Sequence, residues 1–392
     1  METLGFQYDQ IKVVGKREID TFPDAPTPLQ TLWDHHANNR FLNLGESEFI
    51  VGSPMKVFSL LNPCFIYWNG NIVVSWRKEP GLIRIVLIDS KLLIHANQTV
   101  SSRHSKHRSH SIRQHIALLK HFNFNNDSLP HVEMAGEDPR VITVGNSSRP
   151  QLLYVAFCQR YHRANPELWM SYAQVLLNNG SLALDVTVNF NYKLESMKEQ
   201  KNWSPFVVNE TQLLFIQSID PHRIVHEVKT VHRQHVFGET LYLSQSPTGN
   251  LSHLWRWGEL RGGTPALPIQ WSNQSLYLAF FHSSNIPPRT GNVIQTYAMG
   301  AYVFCPQPPF RILRMSSKPI IHSSMYSGNW TNLPLSYYHI DYVVFPMSFI
   351  LDGNIIYLTY GKQDAEGWLI RLDLRKMLDS LAIVENSCEA NL

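Results

Sequence analysis

The chain lacks any apolar run approaching the 18 or more residues that a membrane-spanning helix needs, and its first twenty residues, Met1 to Asp20, hold no apolar segment of the signal-peptide kind. Charge is also scarce. Only 17% of the 392 residues are Asp, Glu, Lys or Arg, against roughly a quarter in an average soluble domain, and a net charge of +3 is too small to point to nucleic acid. Cysteine occurs four times, at Cys64, Cys158, Cys305 and Cys388, without metal-ligand spacing and too sparsely for a disulfide framework. Cys158 alternates within an apolar strand pattern, which predicts a buried thiol. There is no glycine-rich phosphate loop, no G-x-S-x-G elbow, no H-E-x-x-H helix and no interleaving of basic and aromatic residues of the RNA-binding kind. Nucleotide-cofactor, serine-hydrolase and zinc-protease chemistry lose their usual signatures, and the reading calls for no cofactor and no metal.

Aromatic residues, by contrast, are abundant, with 10 Trp, 16 Tyr and 19 Phe. Nine N-x-[ST] sequons occur, at Asn97, Asn126, Asn146, Asn179, Asn202, Asn209, Asn250, Asn273 and Asn329. Asn202 is followed by Trp203, Ser204 and Pro205, a poor acceptor context. An Asn- and Ser-rich chain produces some sequons by chance, so both compartments stay open, with the secretory lumen (Golgi) favoured over the cytoplasm.

One strand pattern recurs five times. Each unit opens on a residue followed by Pro, runs through a short extended stretch and a turn, and continues as an apolar strand ending on polar or charged residues. The openings are Asn62-Pro63, Asp138-Pro139, Ser204-Pro205, Thr264-Pro265 and Phe345-Pro346, with prolines 76, 66, 60 and 81 residues apart. The following strands are expected at Ile72–Arg77, Leu152–Arg160, Leu213–His222, Leu276–His282 and Ile355–Asp364. Turn residues such as Asn69-Gly70-Asn71 and Asp352-Gly353-Asn354 separate the paired strands. Periods of this length suit four-stranded blades with loop insertions, and five of them imply an all-β, five-bladed β-propeller. A β-sandwich or a two-domain all-β protein is the alternative. Residues 1–55 are read as an N-terminal extension packing on the propeller, 56–380 as the propeller and 381–392 as a C-terminal tail. One short helical insertion is expected at Ile112 to Phe122, where apolar residues recur at helical spacing. It follows a Ser/His/Arg-rich stretch, Ser101 to Ser111, better read as a solvated loop than as a metal site.

Propeller topology puts the start of each blade's first strand and the end of its second on one face. That gathers Asp138, Arg140, Lys201, Arg261 and Thr264 with Arg77, Arg160, His222, His282 and Asp364. The set is rich in cations and poor in acids. Ordinary glycoside hydrolysis needs two carboxyl groups, whereas Glu137 and Asp138 here stand as one pair among fixed cations. Such a site suits chemistry in which phosphate is nucleophile or leaving group, held by Arg, Lys and His. Bland uses compete for each residue: Asp138 as a turn former, Glu137 and Arg140 as a surface pair, His282 as a structural ring. Arg261 stands beside Gly262 and Gly263, which permit close backbone approach.

Gly136-Glu-Asp-Pro-Arg140, Lys201-Asn-Trp-Ser-Pro-Phe206, Arg261-Gly-Gly-Thr-Pro265, Phe281-His282 and Gly361-Lys-Gln-Asp364 occur in an order that resembles the β-mannoside phosphorylase family of glycoside hydrolases and the related propeller-fold mannosyltransferases of eukaryotes. The resemblance spans about residues 60 to 378. It implies a five-bladed propeller in which Asp138 is the proton donor to the glycosidic oxygen, Arg77, Lys201, His282 and, less closely matched, His222 bind phosphate, and Asp364 contacts the sugar. Pro221-His222-Arg223 departs from the bacterial His-Arg pattern, which puts the anion site there in doubt. The related furanosidase propellers use carboxylates on three blades, where this chain has Asn62 and Ser204 at two of the positions, so hydrolysis of that type is not expected.

The resulting expectation is an enzyme transferring a hexosyl group, mannosyl by resemblance, between a phosphate-activated donor and a glycan acceptor by an inverting mechanism. Asp138 is its acid or base, Arg77, Lys201, His222, Arg261 and His282 its phosphoryl ligands, and Glu137, Arg140, Trp203, Thr264 and Asp364 its sugar contacts, with Trp203 stacking on the sugar. The partners are a sugar or glycan and a phosphate or nucleotide-sugar donor, with no nucleic acid and no membrane span. The alternatives are a phosphorylase cleaving β-mannosides with inorganic phosphate, and an inactive glycan-binding propeller.

Overall fold

The computed structural model describes residues 45–58, 61–68, 71–79, 81–89, 129–145, 151–160, 168–178, 181–185, 188–189, 202–227, 238–244, 251–285, 296–326, 343–363 and 365–388. The expected helix at 112–122, the Ser/His/Arg-rich stretch and most of the N-terminal extension lie outside them.

Each of the five repeats folds into its own antiparallel sheet. The first strand in the chain, β1 (Met55–Phe58), belongs to the last of these sheets. Blade one is β2 (Leu61–Trp68), β3 (Asn71–Glu79), β4 (Leu82–Asp89) and β5 (His131–Ala135). Blade two is β6 (Glu137–Val144), β7 (Leu152–Arg160) and β8 (Leu168–Asn178), to which β9 (Ser181–Leu184) and β10 (Val188–Asn189) both pair. Blade three is β11 (Ser204–Val208), β12 (Gln212–Ile219), β13 (His222–Glu227) and β14 (Gly238–Ser244). In blade four the inner strand is split into β15 (Glu259–Gly262) and β16 (Leu267–Trp271), both pairing with β17 (Gln274–Asn285), followed by β18 (Thr296–Phe304) and β19 (Ile312–Met315). Blade five is β20 (Val344–Asp352), β21 (Ile355–Lys362) and β22 (Glu366–Asp373).

One pairing closes the ring. β1 pairs with β22, with Met55 opposite Leu369, so a strand from before blade one completes blade five. This fastens the start of the chain to its last blade and holds the five-unit array closed. At the other end, Asp373 caps the short helix α1 (Leu374–Asp379) by accepting the Lys376 amide at 3.0 Å. The chain then crosses back to blade four, where β23 (Ala382–Ile383) pairs with β19 and Cys388 forms a disulfide with Cys305. Four cysteines are too sparse for a disulfide framework, yet this one pair is linked. The two residues lie 83 apart in the chain, and only the return of the tail to blade four makes them neighbours.

Apolar faces of adjacent blades form the core. Between blades three and four, Phe206 meets Tyr277, Phe304 and Phe310 edge-on at 5.3 to 5.4 Å, a geometry favoured by the aromatic quadrupole. Cys158 is buried as expected, its sulfur 3.5 Å from that of Met170. Among the described residues no helix is long and apolar enough to cross a membrane.

Candidate active site

The residue-then-proline openings do converge, and the bulges explain how. Proline cannot donate to the ladder, so pairing breaks where it enters a strand. The register slips between Leu61 and Cys64 in blade one and between Glu137 and Arg140 in blade two. A bulge re-aims the side chains it carries. Here it leaves Asn62 and Asp138 in the left-handed region, at φ 47° and 52°, which Asn and Asp tolerate better than most residues. The two side chains then meet: Asn62 Nδ2 donates to Asp138 Oδ1 at 2.8 Å, across 76 residues of sequence. Asn62 is buried, and a β-carbon on Gly361 would fall 2.1 Å from its Oδ1, so the end of β21 must be glycine for the amide to sit there.

Arg140 ties the remaining entrances to this pair. Its Nε donates to the Gly263 carbonyl of blade four, one terminal nitrogen donates to the Asp138 carbonyl at 3.0 Å, and the other donates to Asn202 Oδ1, ahead of blade three, at 3.2 Å. Its guanidinium carbon lies 5.6 Å from the centre of the Phe345 ring of blade five. Burial pushes its pKa down, and Asp138 is among the groups opposing that shift. The side chain is fully buried and its bonds run to protein acceptors. The expected sugar contact is therefore corrected to an axial brace that holds Asp138's backbone.

The other expected residues divide in two. Arg77 and Glu137 stand beside Asp138 as a partly buried pair at 3.9 Å, so the partner of Glu137 is Arg77 rather than Arg140. Arg261 and His282 face each other in the β15–β17 register. Arg261 is partly exposed and bonds Glu259 at 2.8 Å. The His282 ring is buried, stacked on Tyr297 at 5.6 Å and tilted against Phe345 at 4.4 Å. The adjoining glycines do permit close approach: a β-carbon on Gly262 would fall 1.9 Å from the Asn202 carbonyl oxygen, and one on Gly263 2.4 Å from that of Phe280.

Three residues are placed elsewhere. His222 was expected at the end of blade three's second strand, but β12 stops at Ile219, and after the Asp220-Pro221 turn His222 opens β13. Its buried ring packs on Tyr302 and Phe304, with Nδ1 2.8 Å from the Phe310 carbonyl, and burial pushes its pKa down to about 4. A ring so enclosed is neutral near pH 7 and unsuited to holding phosphate. Trp203 lies in the core between blades two and three with Cys158, Met170, Tyr172 and Phe215, so it presents no face to a sugar. Thr264 is buried and its hydroxyl accepts the Phe280 amide at 3.0 Å, which makes it a strand fastener. Lys201 and Asp364 lie outside the described residues, as does the side chain of Arg160.

Two further residues stand at these entrances and strand ends. Asn62 was expected as a blade opening and as a missing carboxylate, not as a partner of Asp138, although its place before Pro63 matches that of Asp138 before Pro139. Lys362, at the end of β21, is nearly buried, donates to the Ser324 carbonyl at 2.6 Å and lies 4.5 Å from the Trp368 ring centre. Its position in Gly361-Lys-Gln-Asp364 was the available signal.

No family model matches the chain, and no curated protein matches it. Its structural neighbours include a mannose phosphorylase from Leishmania mexicana, at 12% identity over 91% of this chain and 98% of that one, with a TM-score of 0.47. A GDP-Man-dependent mannosyltransferase from the same organism aligns at 10% identity over the same shares, with a TM-score of 0.45. A β-1,2-mannobiose phosphorylase from Listeria innocua aligns at 14% identity over 86% of this chain and 94% of that one, with a TM-score of 0.42.

Proposed function

We propose that the protein is a glycosyl-transfer enzyme that moves a hexosyl group, mannosyl by the motif resemblance, between a phosphate-activated donor and a glycan acceptor, with Asp138 as its acid or base. The observation that carries this reading is the contact of Asp138 with Asn62. A partly exposed carboxyl group is held in place by a neutral amide, and the blade-one and blade-three openings, where the related furanosidase propellers carry carboxylates, hold Asn62 and Ser204 here. With Glu137 paired to Arg77 and Asp138 as the one acid assigned to the chemistry, the other reactant brings the nucleophile, and phosphate does so. In the phosphorolytic direction Asp138 gives its proton to the glycosidic oxygen while a phosphate oxygen attacks the anomeric carbon from the opposite side. In the synthetic direction Asp138 takes the proton of the acceptor hydroxyl as the phosphate-bearing group departs. One displacement inverts the anomeric centre.

Arg77 and Arg261 are the proposed anion-binding groups among the described residues, while His282, whose ring is buried, is carried as a phosphate ligand by the resemblance alone. They stabilise charge on the phosphoryl oxygens as it develops. Lys201 as a further phosphate ligand and Asp364 as a sugar contact are carried by the resemblance alone.

The test is a donor screen of GDP-mannose against mannose 1-phosphate over a panel of mannoside acceptors, with Asp138→Asn as control. A product formed with inverted configuration and lost in the variant supports the proposal. Turnover unchanged in the variant removes Asp138 from the mechanism, and no turnover with either donor by the unmodified chain favours a glycan-binding propeller.

A further inference from the structure

Three of the nine sequons fall on described residues, and the fold separates them. Asn202 is nearly buried, its amide oxygen accepts from Arg140, and its carbonyl fills the space against Gly262. A glycan there is incompatible with the folded ring. Asn209 and Asn273 are exposed. Each lies in a tight turn from an inner strand to the second strand of its blade, β11 to β12 and β16 to β17, with two consecutive left-handed residues: Asn209 and Glu210 at φ 50° and 60°, Ser272 and Asn273 at 48° and 63°. In the first turn the Thr211 hydroxyl donates to the Asn209 carbonyl at 3.2 Å. In the second, Ser275 is exposed and accepts from Gln270 at 2.6 Å.

A second, independent feature points to the compartment in which such sites are used. Cys305 and Cys388 are joined, and protein disulfides persist in oxidising compartments while being rare in the cytosol. The lumen that oxidises thiols is also the one that attaches N-linked glycans.

We propose that Asn209 and Asn273 are N-glycan acceptors and that Asn202 is not. In the reaction the side-chain amide nitrogen attacks the anomeric carbon of a lipid-diphosphate-linked oligosaccharide. The new N–C bond forms as the C–O bond to the diphosphate breaks, the nitrogen loses one proton, and the lipid diphosphate leaves. Formation of the Cys305–Cys388 bond removes two protons and two electrons, accepted by a disulfide of the luminal exchange system. Both acceptor turns follow the far ends of inner strands whose near ends lie at the Asp138 side, so the glycans project from the face opposite the candidate active site. Asn209 also rims an apolar cavity of about 570 Å³ lined by inner-strand residues of all five blades, among them Ile66, Ile142, Val207, Leu267 and Phe349. A bulky, hydrated glycan at that rim shields it from self-association.

The full chain, directed into the secretory pathway of cultured eukaryotic cells, tests this. Amidase release of glycans in ¹⁸O water leaves a labelled Asp at each occupied site, and peptide mass spectrometry without reduction reads the cysteine pairing. The expected result is label at 209 and 273, none at 202, and a linked Cys305–Cys388 peptide. Asn209→Gln and Thr211→Ala each remove one glycan, and Asn273→Gln removes another. Unlabelled 209 and 273 in the secreted protein, label at 202 in folded protein, or free Cys305 and Cys388 thiols overturn the proposal. If the chain is retained in the cell, the same labelling of the detergent-extracted protein decides it by the same criteria.

Discussion

The entrances to blades one and two share a backbone and differ in one functional group. Asn62 and Asp138 each precede a proline, sit at a bulge and hold a left-handed φ within a few degrees of one another. One carries an amide and the other a carboxyl group, and they bond to each other. At blade three the pattern lapses: Ser204 is buried and its strand pairs in regular register from Ser204 to Val208. The repeat thus supplies geometry several times over, and chemistry comes from what stands at each copy. Two carboxyl groups at this distance would repel and share a proton. An amide in the first position orients the acid without competing for its charge.

If that division holds, the largest effect comes from changing the acid alone. Asp138→Asn keeps the turn conformation and an oxygen to accept from Asn62, so the fold should survive. Turnover should fall by about 10²- to 10⁴-fold, the usual contribution of a positioned acid or base; steady-state rates alongside a thermal unfolding curve check both halves. Arg140→Met reverses the pattern. It leaves the Gly263 and Asp138 carbonyls and the Asn202 amide oxygen without their buried donor, and should cost on the order of 3 kcal/mol or more in denaturant unfolding. A variant of normal stability would contradict the bracing role.

Much of this was legible in the sequence because a propeller is a repeat. Strand β7 ends where expected, at Arg160, and all five openings fall at or beside the expected prolines. Side-chain direction was less legible. Trp203 and Arg140 sit in motifs that suggest ligand contact, yet both point into packed space, because alternation along a strand assigns faces and says little about which face a neighbouring blade will cover. His222 was displaced by a single turn, since the ladder cannot run through Pro221. The Cys305–Cys388 pairing depended on a return crossing of the tail that no local pattern announces.

His222 offers a smaller, sharper test. His222 is fully buried with a pKa near 4 in the folded chain, against about 6.5 unfolded. Between those values the unfolded chain binds the extra proton, so its contribution to stability is present above pH 6.5, is lost as pH falls and levels off below pH 4. The loss is on the order of 3 kcal/mol. Chemical unfolding of His222→Phe from pH 7 to 4 should show a correspondingly shallower decline. An unchanged slope would mean that the ring is not enclosed, and would reopen its candidacy as an anion ligand.

The smallest expected effect bears most directly on the paired entrances. Asn62→Gly keeps the left-handed backbone at no steric penalty, because glycine adopts positive φ freely, and removes only the amide that bonds Asp138. A hydrogen bond to a charged group is worth about 1.5–3 kcal/mol. Part of that is recovered if water takes the amide's place, so a fall of about tenfold in kcat is expected, equivalent to about 1.4 kcal/mol. KM should change little, because Asn62 acts through Asp138 in this scheme. A change in KM alone would make Asn62 a substrate contact, and no change in either constant would leave Asp138 oriented by its bulge and by Arg140 without help from blade one.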